Sequence, residues 1–163
     1  MLEIEIQQGD ITKIKADAIV NPANVLGWMG SVSGSAIKSA GGIEIEKEAV
    51  NKGPMEIGRA VATTSGELPH QVVIHSPTME NPSEKAKAYN VQMAVHGALH
   101  LADDLKLSTL AMPGMGTGVG EFPVKDSAKI MAEEIKKFVP RHLEKVVLID
   151  IDEAMVKAWQ KEV

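Results

Sequence analysis

Residues 19–42, IVNPANVLGWMGSVSGSAIKSAGG, carry the densest set of groups that could do chemistry in this chain: an Asn-Pro-Ala-Asn turn, then a glycine- and serine-rich loop that opens a helix. A loop poor in side chains leaves its backbone N–H groups free, and at a helix start those groups face an anion with the helix dipole behind them. Phosphate is the natural guest. A second loop, Gly114-Met-Gly-Thr-Gly-Val-Gly120, has glycine at alternate positions and exposes more backbone than a turn needs. Two such cradles suit two linked phosphates. Neither is a common phosphate motif, because no Gly-Lys-Ser/Thr follows Gly30 or Gly34 and the GxGxxG spacing of dinucleotide folds is absent. Taken alone, Asp10 after Gly9 reads as a turn carboxylate capping its own backbone, and Asn21 and Asn24 around Pro22 read as turn-shaping residues.

Other chemistries are narrowed by what the chain lacks. Zero cysteines excludes disulfides, thiolate nucleophiles and Cys-ligated zinc, leaving Ser, Thr, Lys or a carboxylate for any covalent step. His96 and His100 stand one helical turn apart, but no Glu follows His96 and no third ligand is evident, so no metal site and no cofactor are expected. The net charge of −5 is not set against a basic cluster, and Lys125, Lys129, Lys136 and Lys137 mix with Asp126, Glu133 and Glu134 in the pattern of a solvated helix face. An extended nucleic acid is therefore not an expected partner. A small phosphorylated ligand remains compatible, since amides and helix dipoles bind it without a basic surface. Trp28, Trp159, Tyr89, Phe122 and Phe138 are the only aromatic platforms for a base.

The elements that must position these groups can be read in order. The chain of 163 residues fits one domain, 1–163, with a full core. No apolar run approaches the roughly 18 residues of a membrane helix, so no membrane is expected as a partner. The start, MLEIEIQQGD, has neither the basic head nor the apolar block of a signal peptide, which points to the cytoplasm. Leu2, Ile4 and Ile6 alternate with polar residues as a strand, and the next strand, residues 16–20, follows too soon for a helical crossover. The first strand is thus expected to be antiparallel or at an edge. Helices over 35–40 and 43–52 and strands over 59–65 and 71–76 follow, with Pro77 and Pro82 ending that region. Val91, Ala94, Val95, Ala98, Ala102 and Leu105 mark the buried stripe of a helix spanning 84–105. A strand over 108–112, a helix over 123–139, a strand over 145–150 and a helix capped by Asp152 complete the order. The alternation β-β-α-α-β-β-α-β-α-β-α predicts an α/β fold, a three-layer α/β/α sandwich around a mixed sheet of about six strands. In such sheets a ligand lies at the carboxyl ends of the strands, where both glycine-rich loops emerge.

Gly9-Asp10-Ile11-Thr12, Asp17-Ala-Ile-Val-Asn-Pro-Ala-Asn24 and Gly116-Thr-Gly-Val-Gly120 together resemble the macro domain family. The strand Val72-Val-Ile-His75 and the segment Ala36-Ile37-Lys38…Ala40-Gly41-Gly42 fit the same resemblance, which spans the chain. It implies ADP-ribose binding. Asp10 would accept a hydrogen bond from the adenine amino group, Ile11 would line the adenine pocket, and Asn24 would hold the distal ribose. Gly30, Ser31, Val32, Ser33 and Gly34 on one side, and Gly116, Thr117, Gly118, Val119 and Gly120 on the other, would cradle the diphosphate, with Phe122 nearby.

Several departures from the family qualify the implied activity. Many members have consecutive glycines where this chain reads Gly27-Trp-Met-Gly-Ser-Val-Ser-Gly34, and either Ser33 or Gly34 stands where hydrolysing members carry an aspartate. Gly120 replaces an aromatic that often covers the distal ribose, and Ile151 replaces one that stacks on adenine in some members. The resemblance implies an ADP-ribose binder, partnered by ADP-ribose or an ADP-ribosylated protein. As an enzyme it would hydrolyse an ester at the distal ribose, as in ADP-ribosylated acidic side chains or O-acetyl-ADP-ribose, with Asn24 orienting the sugar. The alternatives are a non-catalytic reader or scavenger and an ADP-ribose 1″-phosphate phosphatase.

Overall fold

The computed structural model describes residues 1–81 and 84–163. Its strands are β1 (Glu3–Gln8), β2 (Ala18–Asn24), β3 (Val61–Thr63), β4 (Val72–Met79), β5 (Thr109–Met112) and β6 (Lys145–Asp150). Its helices are α1 (Val32–Gly41), α2 (Glu44–Lys52), α3 (Ala88–Asp104), α4 (Val124–Lys137) and α5 (Glu153–Glu162), and a single 3-10 turn, Ile11–Lys13, follows β1. The strands form one sheet in the order β1-β6-β5-β2-β4-β3, parallel throughout except for β3. No helix among the described residues is long and apolar enough to cross a membrane.

Side-chain alternation sorts the core onto two faces. Ala18 and Val20 of β2 pack with Val91, Ala94 and Val95 of α3, Met131 and Ile135 of α4, and Trp159 of α5. Ile19, between them, packs with Ile37 of α1 and Ile45 of α2. A parallel strand covered on both sides must be apolar on both, which is why Ala-Ile-Val reads as a continuous run. Each fully buried aliphatic side chain contributes about 1.5–3 kcal/mol. Asp17 fixes the register at the other end of β2: its carboxylate accepts the Ser108 and Thr109 N–H groups at 2.8 and 3.2 Å.

Several boundaries differ from the sequence reading, each for an identifiable reason. β1 lies at the sheet edge but is parallel, because its partner is β6 from the far end of the chain rather than β2. The helix expected from residue 84 begins at Ala88: the Ala86 N–H donates to the Gly120 carbonyl at 2.8 Å, which draws residues 84–87 away from the helix and onto the second glycine-rich loop. β4 runs through Pro77 to Met79. The strand expected over 59–65 is only Val61–Thr63 and covers β4 at Val73, Ile74 and His75, so Pro77 lies beyond it where no N–H is required on that side. Pro82 lies outside the described residues.

Asn21, Thr63 and His75 form a polar group buried within the sheet. His75 is 0% exposed; Asn21 Nδ2 lies 3.1 Å from its Nδ1 and the Thr63 hydroxyl 2.8 Å from its Nε2. The Thr63 hydroxyl donates its proton to the Thr64 carbonyl at 3.0 Å, so Nε2 must be the donor to Thr63 and Nδ1 the acceptor from Asn21. The neutral ring is therefore fully used, and burial pushes its pKa down to about 4. The unfolded chain takes up this proton at an ordinary histidine pKa of about 6.5, so the contribution is complete above that pH and is lost as pH falls toward 4. Urea unfolding at pH 7 and pH 5 should differ by about 2 kcal/mol from this source; an unchanged midpoint would contradict the assignment.

Candidate functional site

Because β1, β6, β5, β2 and β4 run parallel, their carboxyl ends share one rim of the sheet. The strand order reverses between β2 and β5, and their pairing covers only Ala18–Leu110 and Ile19–Ala111. Beyond that point the two strands part. Such a switch point opens a crevice, and here it holds a cavity of about 280 Å³ lined from Asp10 at one end to Met79 at the other. Pro22 lines it too, tolerated in a central strand because β5 no longer pairs with β2 there.

The middle of the cleft is an amide cradle. Ser31 caps α1, its hydroxyl accepting the Gly34 N–H at 3.0 Å and its carbonyl the Ser35 N–H at 2.8 Å. Among the described residues the Val32 and Ser33 N–H groups have no protein partner, and both residues line the cavity. Opposite them, the carbonyls of Gly116, Gly118 and Gly120 accept from Phe122, Glu121 and Ala86. With its carbonyls turned into the protein, the loop leaves the N–H groups of Thr117, Gly118 and Val119 without partners among the described residues. Gly116 makes this turn feasible: its φ is +80°, and a Cβ there would stand 2.7 Å from Val91 Cγ2. Among the described residues no Lys or Arg lines the cavity, so an anion held here is held by amides and the α1 dipole.

At the β1–β6 end the lining turns acidic. Asp10 Oδ1 accepts the Thr12 hydroxyl at 2.7 Å and the Thr12 N–H at 2.9 Å. The Thr12 hydroxyl chiefly holds the carboxyl below the usual carboxylate range, with the backbone bond adding to it. Oδ2 accepts nothing among the described residues and faces solvent on an exposed side chain. Asp150 Oδ2 accepts the Gly114 N–H at 2.9 Å and so ties the end of β6 to the start of the second loop. Asp152 caps α5 through the Ala154 N–H at 3.0 Å. Ile11, Ile149 and Ile151 supply the apolar surface between these carboxylates.

At the β2–β4 end a second cavity of about 200 Å³ adjoins the first and shares Pro22, Ser31, Met79 and Val119 with it. Asn24, Trp28 and Gly30 complete its lining. The Asn24 side chain is engaged in its own loop: Nδ2 donates to the Trp28 carbonyl at 2.9 Å and Oδ1 accepts the Leu26 N–H at 3.0 Å. The loop is pinned a second time where the buried Glu46 carboxylate accepts the Met29 N–H at 2.7 Å, with Lys38 3.3 Å from the same oxygen. Gly27 has φ +86°, and a Cβ there would meet the Ala49 backbone at 2.8 Å.

Of the residues singled out from the sequence, Asp10, Ile11, Ser31, Val32, Ser33, Gly116, Thr117, Gly118, Val119 and Gly120 line the main cleft, and Asn24 and Gly30 line its extension. Gly34 and Phe122 do not. Gly34 is buried in the first turn of α1, and Phe122 packs against the core. The sequence reading missed Asp150 as a lining residue and took Asp152 only as a cap. Their signal was available: two carboxylates directly after a β-branched strand whose carboxyl end faces the crevice. The His96 and His100 rings lie 4.2 Å apart and tilted by 49°, with His100 edge-on to Phe138. Among the described residues no group of three or more His, Asp or Glu is placed to hold a metal ion.

Comparison with known proteins adds to this geometry. A family model described as Macro domain matches residues 20–131. A protein of Aquifex aeolicus is 51% identical over 160 residues, covering 98% of this chain and 97% of its own length. A mutant of the Oceanobacillus iheyensis macrodomain with ADPR superposes with a TM-score of 0.87 at 26% identity, over 98% of this chain and 90% of that one. The Trypanosoma brucei macrodomain in complex with ADP-ribose has the same TM-score at 23% identity, over 98% and 68%.

Gly118 offers a clean probe of the cradle, because a Cβ there meets nothing within 4 Å. Gly118→Val should leave the thermal midpoint unchanged and weaken ADP, a simple diphosphate ester, about tenfold by filling the cleft. Unchanged ADP affinity would place the diphosphate elsewhere.

Proposed function

The chain belongs to the macro domain family, and from that premise we propose that it binds ADP-ribose along the rim described above. The observation that carries this reading is the order of chemistries across the strand ends. Carboxylates and isoleucines stand at β1 and β6, free amides at β5 and β2, and Asn24 with Trp28 beyond β2 toward β4. From β1 to β4 is four strand spacings, about 19 Å, the scale of an extended nucleoside diphosphate sugar. Adenine, diphosphate and distal ribose fall on these three stations in sequence. Asp10, held ionised by Thr12, accepts the adenine amino group through Oδ2, and Ile11 contacts the ring. The amides of Val32, Ser33, Thr117, Gly118 and Val119 take the diphosphate.

Hydrolysis of an ester on the distal ribose would use Asn24 to orient the sugar and a water beside the diphosphate, with the ligand's own phosphate assisting. Among the described residues the second cavity is lined by no Asp, Glu or His, and Asn24 is engaged in its loop on both polar atoms. This favours the non-catalytic reader over the hydrolase, and over a phosphatase acting on ADP-ribose 1″-phosphate.

Calorimetric titration tests the binding reading. ADP-ribose should bind more tightly than AMP or ATP, and Asp10→Ala should weaken it about tenfold, the value of a hydrogen bond to a charged group. No heat with ADP-ribose would overturn the proposal. For the reader, saturated protein should release neither acetate from O-acetyl-ADP-ribose nor phosphate from ADP-ribose 1″-phosphate above background. Release that is abolished by Asn24→Ala would instead establish the enzyme.

A further inference from the structure

We infer that Asp152 makes the cleft selective for an adenosine whose ribose hydroxyls are free, and that it rejects the same ligand phosphorylated at the 2′ position; the inference rests on the ADP-ribose reading above. That reading sets adenine against Asp10 and Ile11, which follow β1, and the diphosphate on the loops that follow β2 and β5. It leaves unassigned the ribose that joins them. In the sheet, β6 lies between β1 and β5. The joining ribose therefore sits over the carboxyl end of β6, about 5 Å from either neighbouring strand, where Asp150, Ile151 and Asp152 line the cavity.

The two carboxylates at this place are used differently. Asp150 is partly buried and spent on the protein: its Oδ2 accepts the Gly114 N–H and its Oδ1 the Asp152 N–H, both at 2.9 Å. Asp152 is exposed, and only its Oδ1 is engaged among the described residues, by the Ala154 N–H at 3.0 Å. Its position is nonetheless fixed. Asp150 holds its N–H, and Gln8 Nε2 donates to the carbonyl of the preceding Ile151 at 3.3 Å. The free Oδ2 is an acceptor only, so it suits a ribose hydroxyl and repels a phosphate, which carries nearly two negative charges. Dinucleotide-binding folds draw the same distinction, with an acidic residue on a free 2′-hydroxyl and an arginine where a 2′-phosphate is taken. Among the described residues no Lys or Arg lines this cleft. The amino end of α5 would attract an anion, but Asp152 already occupies it as the cap, and Glu153 adds a second carboxylate to the same turn.

ADP-ribose and ADP-ribose 2′-phosphate, which differ only in that one group, are the probes. In calorimetric titrations of the full chain at low salt, ADP-ribose should bind about tenfold more tightly, the combined scale of a lost hydroxyl bond and a like-charge contact. The preference should narrow as salt is raised, because the repulsion at an exposed carboxylate is screened. In Asp152→Asn it should fall about threefold, the scale of one exposed charge interaction. Asparagine caps a helix as well as aspartate does, so this variant keeps the fold, which circular dichroism checks. The salt series on the wild-type protein tests the inference without any variant. Equal or tighter binding of the 2′-phosphate, a preference that salt does not change, or one that Asp152→Asn leaves unmoved overturns this inference alone. Failure of the wild-type protein to bind either ligand overturns the ADP-ribose reading and this inference together.

Discussion

Backbone donors that the fold leaves without partners at one place are the constraint on which the site depends. In most of a folded chain each N–H is paired, since a buried orphan is costly. Here β2 and β5 stop pairing after Ile19 and Ala111, and the two loops that leave them turn their carbonyls inward and their amides toward the crevice. Holding such a surface open takes anchors away from it. Glu46 holds Met29, Asn24 holds Trp28, Asp150 holds Gly114, and Ala86 and Phe122 hold the carbonyls of Gly120 and Gly116. Each anchor orients a loop, and the carboxylates of Glu46 and Asp150 are spent on the protein's own N–H groups.

The same economy reconciles a net charge of −5 with a phosphate ligand. An anion held by amides and a helix dipole needs no lysine or arginine in the lining, and among the described residues none is present. The acidic groups, Asp10, Asp150 and Asp152, are gathered at the β1–β6 end. They suit a nucleobase bearing an amino group and would repel a phosphate placed among them. Strand order thus sets the polarity of the cleft: β6 and β1 bring carboxylates to one end, and the β2 loop brings an indole to the other.

The fold was legible because its signals are local and repeated. Short apolar runs bounded by turn residues marked strands, spacings of three and four marked α3 and α4, and Pro123 and Asp152 marked helix starts. The two glycine loops were legible as cradles because glycine at alternate positions is hard to explain otherwise. The misreadings share a cause: each turned on a contact distant in sequence. No local pattern shows that Ala86 bonds to Gly120 and so delays α3, that β1 meets β6, or that β3 begins only at Val61 and so leaves Pro77 room within β4. Likewise Asp150 reads as the end of a strand until the sheet order places it opposite Gly114. The roles of Asp10 and Asn24 were read partly through family resemblance, and the structure adds that both also serve their own turns.

The central claim is that unpaired amides of two loops hold a diphosphate, and nuclear magnetic resonance of the 15N-labelled protein tests it most directly. On saturation with ADP-ribose, the amide protons of Val32, Ser33, Thr117, Gly118 and Val119 should move downfield together, as donors do when they acquire a charged acceptor. If these five stay in place while other amides shift, the diphosphate lies elsewhere and the account of the cleft is wrong.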